Sequence, residues 1–252
     1  MPTAVSLPSV AQRFQAARRS PDLAVLVGFH AVKHALRFGA NLEALVGTNG
    51  KQVSELAAAL APDLKDRFAA ELEIVSPEVF TVLAPEAPRT GVIGIARRPK
   101  VDVAGALLNQ THRPIVLLEN PRNLHNVGAC VRVAAASDAA GVLTTGELDP
   151  WRADALRAAA GSHFALPVSR VESVRFGDRP LIAVDPNGEP FMPRSMPARG
   201  VLAFGTERYG LSEDLLAQAQ HRVAIPMRPG ISSLNLATSV AAILFAWRLS
   251  AV

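Results

Sequence analysis

One cysteine, Cys130, is too few for an intramolecular disulfide or any multi-cysteine metal site, and its scarcity suits a reducing compartment. Cys130 reads as a small buried apolar residue. No apolar run reaches the ~20 residues that a bilayer-spanning helix needs. The nearest candidate, LATSVAAILFAWRLSAV, is broken by polar positions and by Arg248, so a packed helix is expected there. The first residues, MPTAVSLPSVAQRFQAARRSP, lack the apolar segment and cleavage site of a secretory signal, and a cytoplasmic protein is expected. Neither a G-x-G-x-x-G fingerprint nor a P-loop Gly-Lys-Ser/Thr occurs, which weighs against a nucleotide-dependent α/β oxidoreductase. His30, His34, His112, His125, His163 and His221 share no recurring ligand spacing, and no metal is expected. Internal repeats and low-complexity tracts are absent as well.

Lysine is absent after Lys100; every later cation except histidine is arginine. The formal charge is only +4, with a pI of about 9.8. Arginine presents a planar fork of donors suited to phosphate, so nucleic acid is a candidate partner. Genome composition, which enriches Ala, Arg and Pro together, explains the same bias equally well. An apolar fraction of 49% over 252 residues is enough to fill one large or two modest cores.

Along the chain, strand-like and helix-like stretches alternate. SVAQRFQAARRS carries Val10, Phe14 and Ala17 at helical spacing, LAVLVG is a strand closed by Gly28, and FHAVKHALRFG is a helix ended by Gly39. A strand at Leu42 to Val46, a helix around Val53 to Leu60, a short run at Leu72 to Val75 and a strand in TGVIGIARRP complete an α/β first half. Residues 101–114 read as a connector. IVLLEN, GVLTTG, HFALPVS, PLIAVD, VLAFG and HRVAIPM follow as strands, and their unbroken apolar runs predict a mainly parallel sheet covered on both faces. Two domains are expected, 1–108 and 109–252.

In an open α/β sheet, ligands gather at the carboxyl ends of strands, and polar, glycine-bearing loops follow three strands of the second half. In ENPRNLHNVGACVRVAAASDAAGV, Asn126 can cap a helix whose first turn, with Arg132 above it, is also able to hold a phosphate. VLAFGTERYGLSEDLL combines Gly205, Glu207 and Gly210 in a tight crossing able to approach a ligand closely, though a surface turn would look the same. VAIPMRPGISSLNLATS turns at Gly230 and places Ser233 and Asn235 at a helix start, where Ser233 is expected both to cap the helix and to shape a site.

Taken together, in this order and spacing, the loops resemble the SpoU (TrmH-type) branch of the SPOUT RNA methyltransferases. Asn126, Gly128 and Arg132 match that family's first motif, Gly205, Glu207, Gly210 and Leu211 its second, and Ile225-Pro226-Met227 with Ser233-Leu234-Asn235 its third. The match runs from about Ile115 onward, and RAAAGSHFALPV looks like the family's middle segment. Val133, Ser137-Asp138 and Ala159 depart from the family's usual Thr, Phe-Gly and Ser. More loosely, GFHAVKHALRFG and PRTGVIGIARRP resemble the ribosomal-protein-like RNA-binding domain that many members carry.

The resemblance implies an enzyme that moves a methyl group from S-adenosylmethionine to a ribose 2′-hydroxyl of RNA, with ribosomal RNA favoured by the extra N-terminal domain and transfer RNA as the other substrate class. It implies an α/β SPOUT fold with a trefoil knot, a homodimer, and an N-terminal RNA substrate-binding domain. Arg132, Asn126, Glu207, Ser233 and Asn235 take the catalytic positions, and Leu202, Gly205, Ile225, Met227 and Leu234 the cofactor positions. A guanidinium holds its proton too firmly to act as a base, which makes Arg132 a better phosphate clamp than a base. A non-catalytic RNA-binding or ribosome-associated module with the same fold is the competing class.

Overall fold

The computed structural model describes residues 9–109, 111–197, 199–206 and 209–250. The chain divides into two compact units between Pro99 and Lys100.

The first unit opens with α1 (Val10–Arg19), started by a reciprocal cap in which the Ser9 hydroxyl accepts from the Gln12 backbone and the Gln12 side chain accepts from the Ser9 N–H. It continues through β1 (Leu23–Val27), α2 (Phe29–Arg37), β2 (Leu42–Gly47), α3 (Gly50–Leu60), α4 (Lys65–Glu71), β3 (Leu72–Ile74), α5 (Pro77–Leu83) and β4 (Val92–Arg97). The sheet order is β1-β4-β2-β3, with β4 antiparallel to both neighbours and β2 parallel to β3. One face packs Phe14, Ala17, Phe80 and Leu83 onto Val25, Val46, Ile93 and Ile95. Phe29 and Phe68 are buried and stack 4.8 Å apart.

The second unit runs α6 (Val103–Leu108), β5 (Ile115–Leu118), α7 (Leu124–Ala136), β6 (Gly141–Thr144), α8 (Ala153–Ala158), β7 (Val168–Arg170), β8 (Leu181–Pro190), β9 (Val201–Phe204), α9 (Glu213–Gln218), β10 (His221–Ala224) and α10 (Leu236–Ser250). Every strand pair in its sheet, ordered β10-β8-β9-β5-β6-β7, is parallel. The unbroken burial of β5, β6 and β9 fits the doubly covered sheet expected from their apolar runs.

Three details differ from the sequence reading. Residues 101–114 are not a plain connector, because Asp102 caps α6 through the Gly105 N–H at 3.0 Å and Leu107 enters the core of the second unit. The division therefore falls ahead of the expected one at residue 108. Buried Arg179 fixes α6 in place by donating to the carbonyls of Leu107 (2.8 Å), Asn109 (2.8 Å) and Arg113 (3.0 Å), satisfying acceptors that a helix end leaves open. Burial pulls the Arg179 guanidinium below its ordinary pKa. Finally, HFALPVS forms a strand only at Val168–Arg170, since a 3-10 turn occupies Ser162–Ala165.

At the end of α7, Asp138 takes the left-handed conformation, φ 63°, that a glycine adopts most readily. Its carboxylate meets Arg113 at 2.9 Å and Arg248 at 3.0 Å, which gives this aspartate contacts that glycine cannot make.

Candidate active site

The site grows from the carboxyl ends of the central strands. Glu119, directly after β5, donates its backbone N–H to Phe204 at 2.9 Å. Its carboxylate accepts from the Ser212 N–H at 2.7 Å and the Ser212 hydroxyl at 2.6 Å. That clamp holds the start of α9, where the Ser212 hydroxyl also accepts from the Leu215 N–H. Between β9 and Ser212 the chain folds back on itself: Thr206 and Gly210 exchange backbone bonds of 3.2 and 2.9 Å, and the Tyr209 N–H donates to the Thr206 hydroxyl at 3.1 Å. Gly205 is obligatory in that crossing, because a Cβ there would lie 2.0 Å from the Gly210 carbonyl carbon.

The third loop joins the first through one side chain. Asn235 Oδ1 accepts from the N–H groups of Ala237 (2.9 Å) and Thr238 (3.4 Å), which caps α10, while its Nδ2 donates to Asn126 Oδ1 at 3.2 Å. Asn235 is thus the cap expected of Ser233. The cap of α7 is likewise Asn123, whose side chain accepts from His125 and Asn126 N–H, and not Asn126 itself. Asn126 is left to face the α10 start. Gly128 lies two residues along, where a Cβ would stand 2.1 Å from the Ala155 carbonyl oxygen; its lack of a side chain lets α7 and α8 touch.

A cavity of about 300 Å³ opens among these loops. Its walls are Val184–Pro186 within β8, Phe204 at the end of β9 with Gly205 and Thr206 beyond it, Gly210, Ile225 and Met227, residues 232–234, and Leu236 and Ser239 of α10. Gly205, Ile225, Met227, Leu234 and Ser233 therefore share one wall system, as the motif spacing suggested. Leu202 does not: it is fully buried within β9, paired in register with Val116 and Ile182, and belongs to the sheet core. Glu207 lies outside the described residues. Arg132 sits on the solvent side of α7, seven residues and so two turns from His125, off the cavity wall. It makes no hydrogen bond or ion pair with any described residue. Among the described residues no group of three or more His, Cys, Asp or Glu is placed to hold a metal ion.

Asp185 was not legible as a wall residue, although it ends the strand-like run PLIAVD, and strand ends are where ligands gather. Glu119 and Asn123 were missed in the same way. Each stands within the quoted loop ENPRNLHN, and Asn123 has the three-residue lead over Asn126 that a side-chain cap requires.

A parallel sheet with a cavity walled by strand-end loops defines a ligand-binding α/β protein of the strand-end type. Within that class, the SpoU rRNA Methylase profile matches residues 113–245, over half of the chain, and the protein belongs to that family. A 23S rRNA (adenosine(1067)-2′-O)-methyltransferase of Streptomyces laurentii is 34% identical over 59% of this chain and 58% of its own length. An uncharacterised tRNA/rRNA methyltransferase of Synechocystis is 32% identical over 52% of this chain and 51% of its own. The chain thus spans only about half the length of these curated relatives. The SpoU methyltransferase AviRb of Streptomyces viridochromogenes, solved in complex with AdoMet, superposes with a TM-score of 0.77 at 22% identity, covering 97% of this chain and 98% of that one, and shares the fold.

Proposed function

We propose that the protein transfers a methyl group from S-adenosylmethionine to a ribose 2′-hydroxyl of RNA, with ribosomal RNA as the substrate class ahead of transfer RNA. The observation that carries the proposal is convergence: the loops after β9 and β10 wall one cavity, and the Asn126–Asn235 bond ties the loop after β5 to the same place. The names of the relatives, one an rRNA 2′-O-methyltransferase and one a structure with AdoMet, support it.

The wall chemistry fits the donor. Gly205 leaves backbone exposed where any Cβ would collide, and Ile225, Leu234 and Phe204 offer apolar faces for a purine. Gly205, Ile225, Met227 and Leu234 would hold S-adenosylmethionine, which when bound supplies an electrophilic methyl group. The chain's own residues have two tasks: to aim the sugar hydroxyl and to let its proton depart. Arg132, exposed and uncommitted among the described residues, grips the target phosphate with its fork and orients the hydroxyl. Because a guanidinium is a poor base, the proton passes to a phosphate oxygen or water. Asn126 and Asn235 hold the loops in register, and Ser233 shapes the rim. Glu207 takes its place in the catalytic set from its motif position alone.

We further assign the first unit to RNA substrate binding and the second to methyl transfer, with the family's trefoil knot running through the loops around Gly205 and Ile225. No helix among the described residues is long and apolar enough to cross a membrane. A cytoplasmic homodimer is the assembly we infer, with apolar side chains of α10 contributing to the contact.

The test is transfer of label from methyl-tritiated S-adenosylmethionine to ribosomal RNA, followed by mapping of ribose methylation in total RNA from a strain lacking the gene. One missing 2′-O-methyl group in that strain, restored by the wild-type gene and not by Arg132→Ala, is expected. Tight donor binding with no transfer to any RNA would leave a binding module instead.

A further inference from the structure

Asp185 is the sole ionisable side chain on the cavity wall among the described residues. It follows Val184, which pairs in register with Phe204, so Asp185 stands beside the Gly205 crossing, where the β8–β9 pairing ends. The residue is 9% exposed and lines the cavity.

Both of its oxygens accept hydrogen bonds. Oδ1 accepts from the Asn187 N–H at 2.8 Å, and Oδ2 accepts from Arg222 Nη2 at 2.7 Å. The backbone around this pair is tightly folded: the β8–β10 register shifts between Arg222 and Val223, and a Cβ on Gly188 would stand 2.5 Å from the Val223 nitrogen. A carboxylate has about four acceptor positions, so roughly two remain. Arg222 also offsets the negative charge at contact distance. A neutralised, rigid carboxylate with spare acceptor positions is matched to neutral O–H donors, and less well to a cation.

We infer that Asp185 binds the methyl donor by accepting hydrogen bonds from the ribose hydroxyls of its adenosine, with Arg222 neutralising and positioning the carboxylate. This rests on the methyl-donor reading of the cavity and adds a specificity contact to it. The glycine and apolar walls face a base; the one charged wall residue faces the sugar. An ion pair that merely closed the β8–β10 bulge would leave ligand binding indifferent to those hydroxyls.

Calorimetric titration of the full chain with S-adenosylhomocysteine and with its 2′-deoxy and 3′-deoxy forms separates these cases. In the wild type, loss of a contacted hydroxyl weakens binding about tenfold, the scale of one hydrogen bond to a charged group. In Asp185→Asn the parent ligand weakens by a similar factor, and the deoxy penalty falls to about threefold or less. A second variant guards against misfolding of the first. Arg222→Gln strips the neutralising charge, and the preference for cationic S-adenosylmethionine over neutral S-adenosylhomocysteine is expected to rise at least about threefold. Deoxy penalties absent from the wild type, or equal in wild type and Asp185→Asn, overturn the inference, as does an unchanged preference in Arg222→Gln. Failure of both parent ligands to bind the wild type would instead remove the donor site itself, and this contact with it.

Discussion

Asn235 does two things with one amide: its oxygen closes the start of α10 and its nitrogen reaches Asn126. Replacing it with alanine removes a cap worth about 1 kcal/mol and also unties the two loops. Asn235→Ala is therefore expected to lower the urea midpoint modestly and to weaken S-adenosylmethionine binding by a larger factor, measured by denaturation and calorimetry on one preparation. Asn235→Asp keeps the cap oxygen, so it should recover stability more than binding. Arg132 belongs to the opposite category, an exposed side chain whose value in the proposed reaction lies in the donor geometry of its fork. Arg132→Lys retains charge but loses bidentate reach, and turnover on RNA should drop about tenfold or more while donor affinity holds. Near-normal turnover with lysine would remove the need for a planar clamp.

Among the elements, α7 carries motif residues and also packs closely on α8. Its Gly128 meets the Ala155 carbonyl of α8 where a methyl group has no room, so Gly128→Ala should cost about 1–3 kcal/mol through forced separation of the helices, read as a fall in the denaturation midpoint. This glycine was legible in the sequence as part of a motif, but its purpose was not, because helix contact depends on a partner 27 positions away. In the first unit, Arg37 on α2 grips Asp63 through two bonds of 3.1 and 2.6 Å, and the hydrogen bond to Arg37 holds the Asp63 carboxyl below its usual range. The stabilisation from such a lowered carboxyl is present above the unfolded pKa, near 4, and fades as pH falls through the lower folded value. The small stability gap between wild type and Asp63→Asn should accordingly be flat from neutral pH to about 5 and shrink at more acid pH.

At the scale of the whole molecule, two units with separate cores were readable because glycine and proline punctuate short apolar runs. The boundary was not, since α6 is only six residues long and is secured by Arg179, an arginine buried where sequence reasoning places arginines outside. The cavity was legible in outline because its loops concentrate Gly, Asn and Ser at strand ends. Its charged wall was not, because Asp185 and Arg222 are joined only by the fold. For the inferred homodimer, light scattering on the 26.7 kDa chain should return twice that mass. Leu249→Glu, at an exposed apolar position on α10, should shift the balance toward monomer. A monomer mass across a hundredfold range of concentration would refute the assembly.

The bond between Asn126 and Asn235 also fixes a timetable. A ribosome adds Asn126 109 codons before Asn235, the residue that ties its loop to the start of α10. Until Asn235 has cleared the exit tunnel, the nascent chain lacks one side of its ligand pocket, so closure of that pocket waits for this residue.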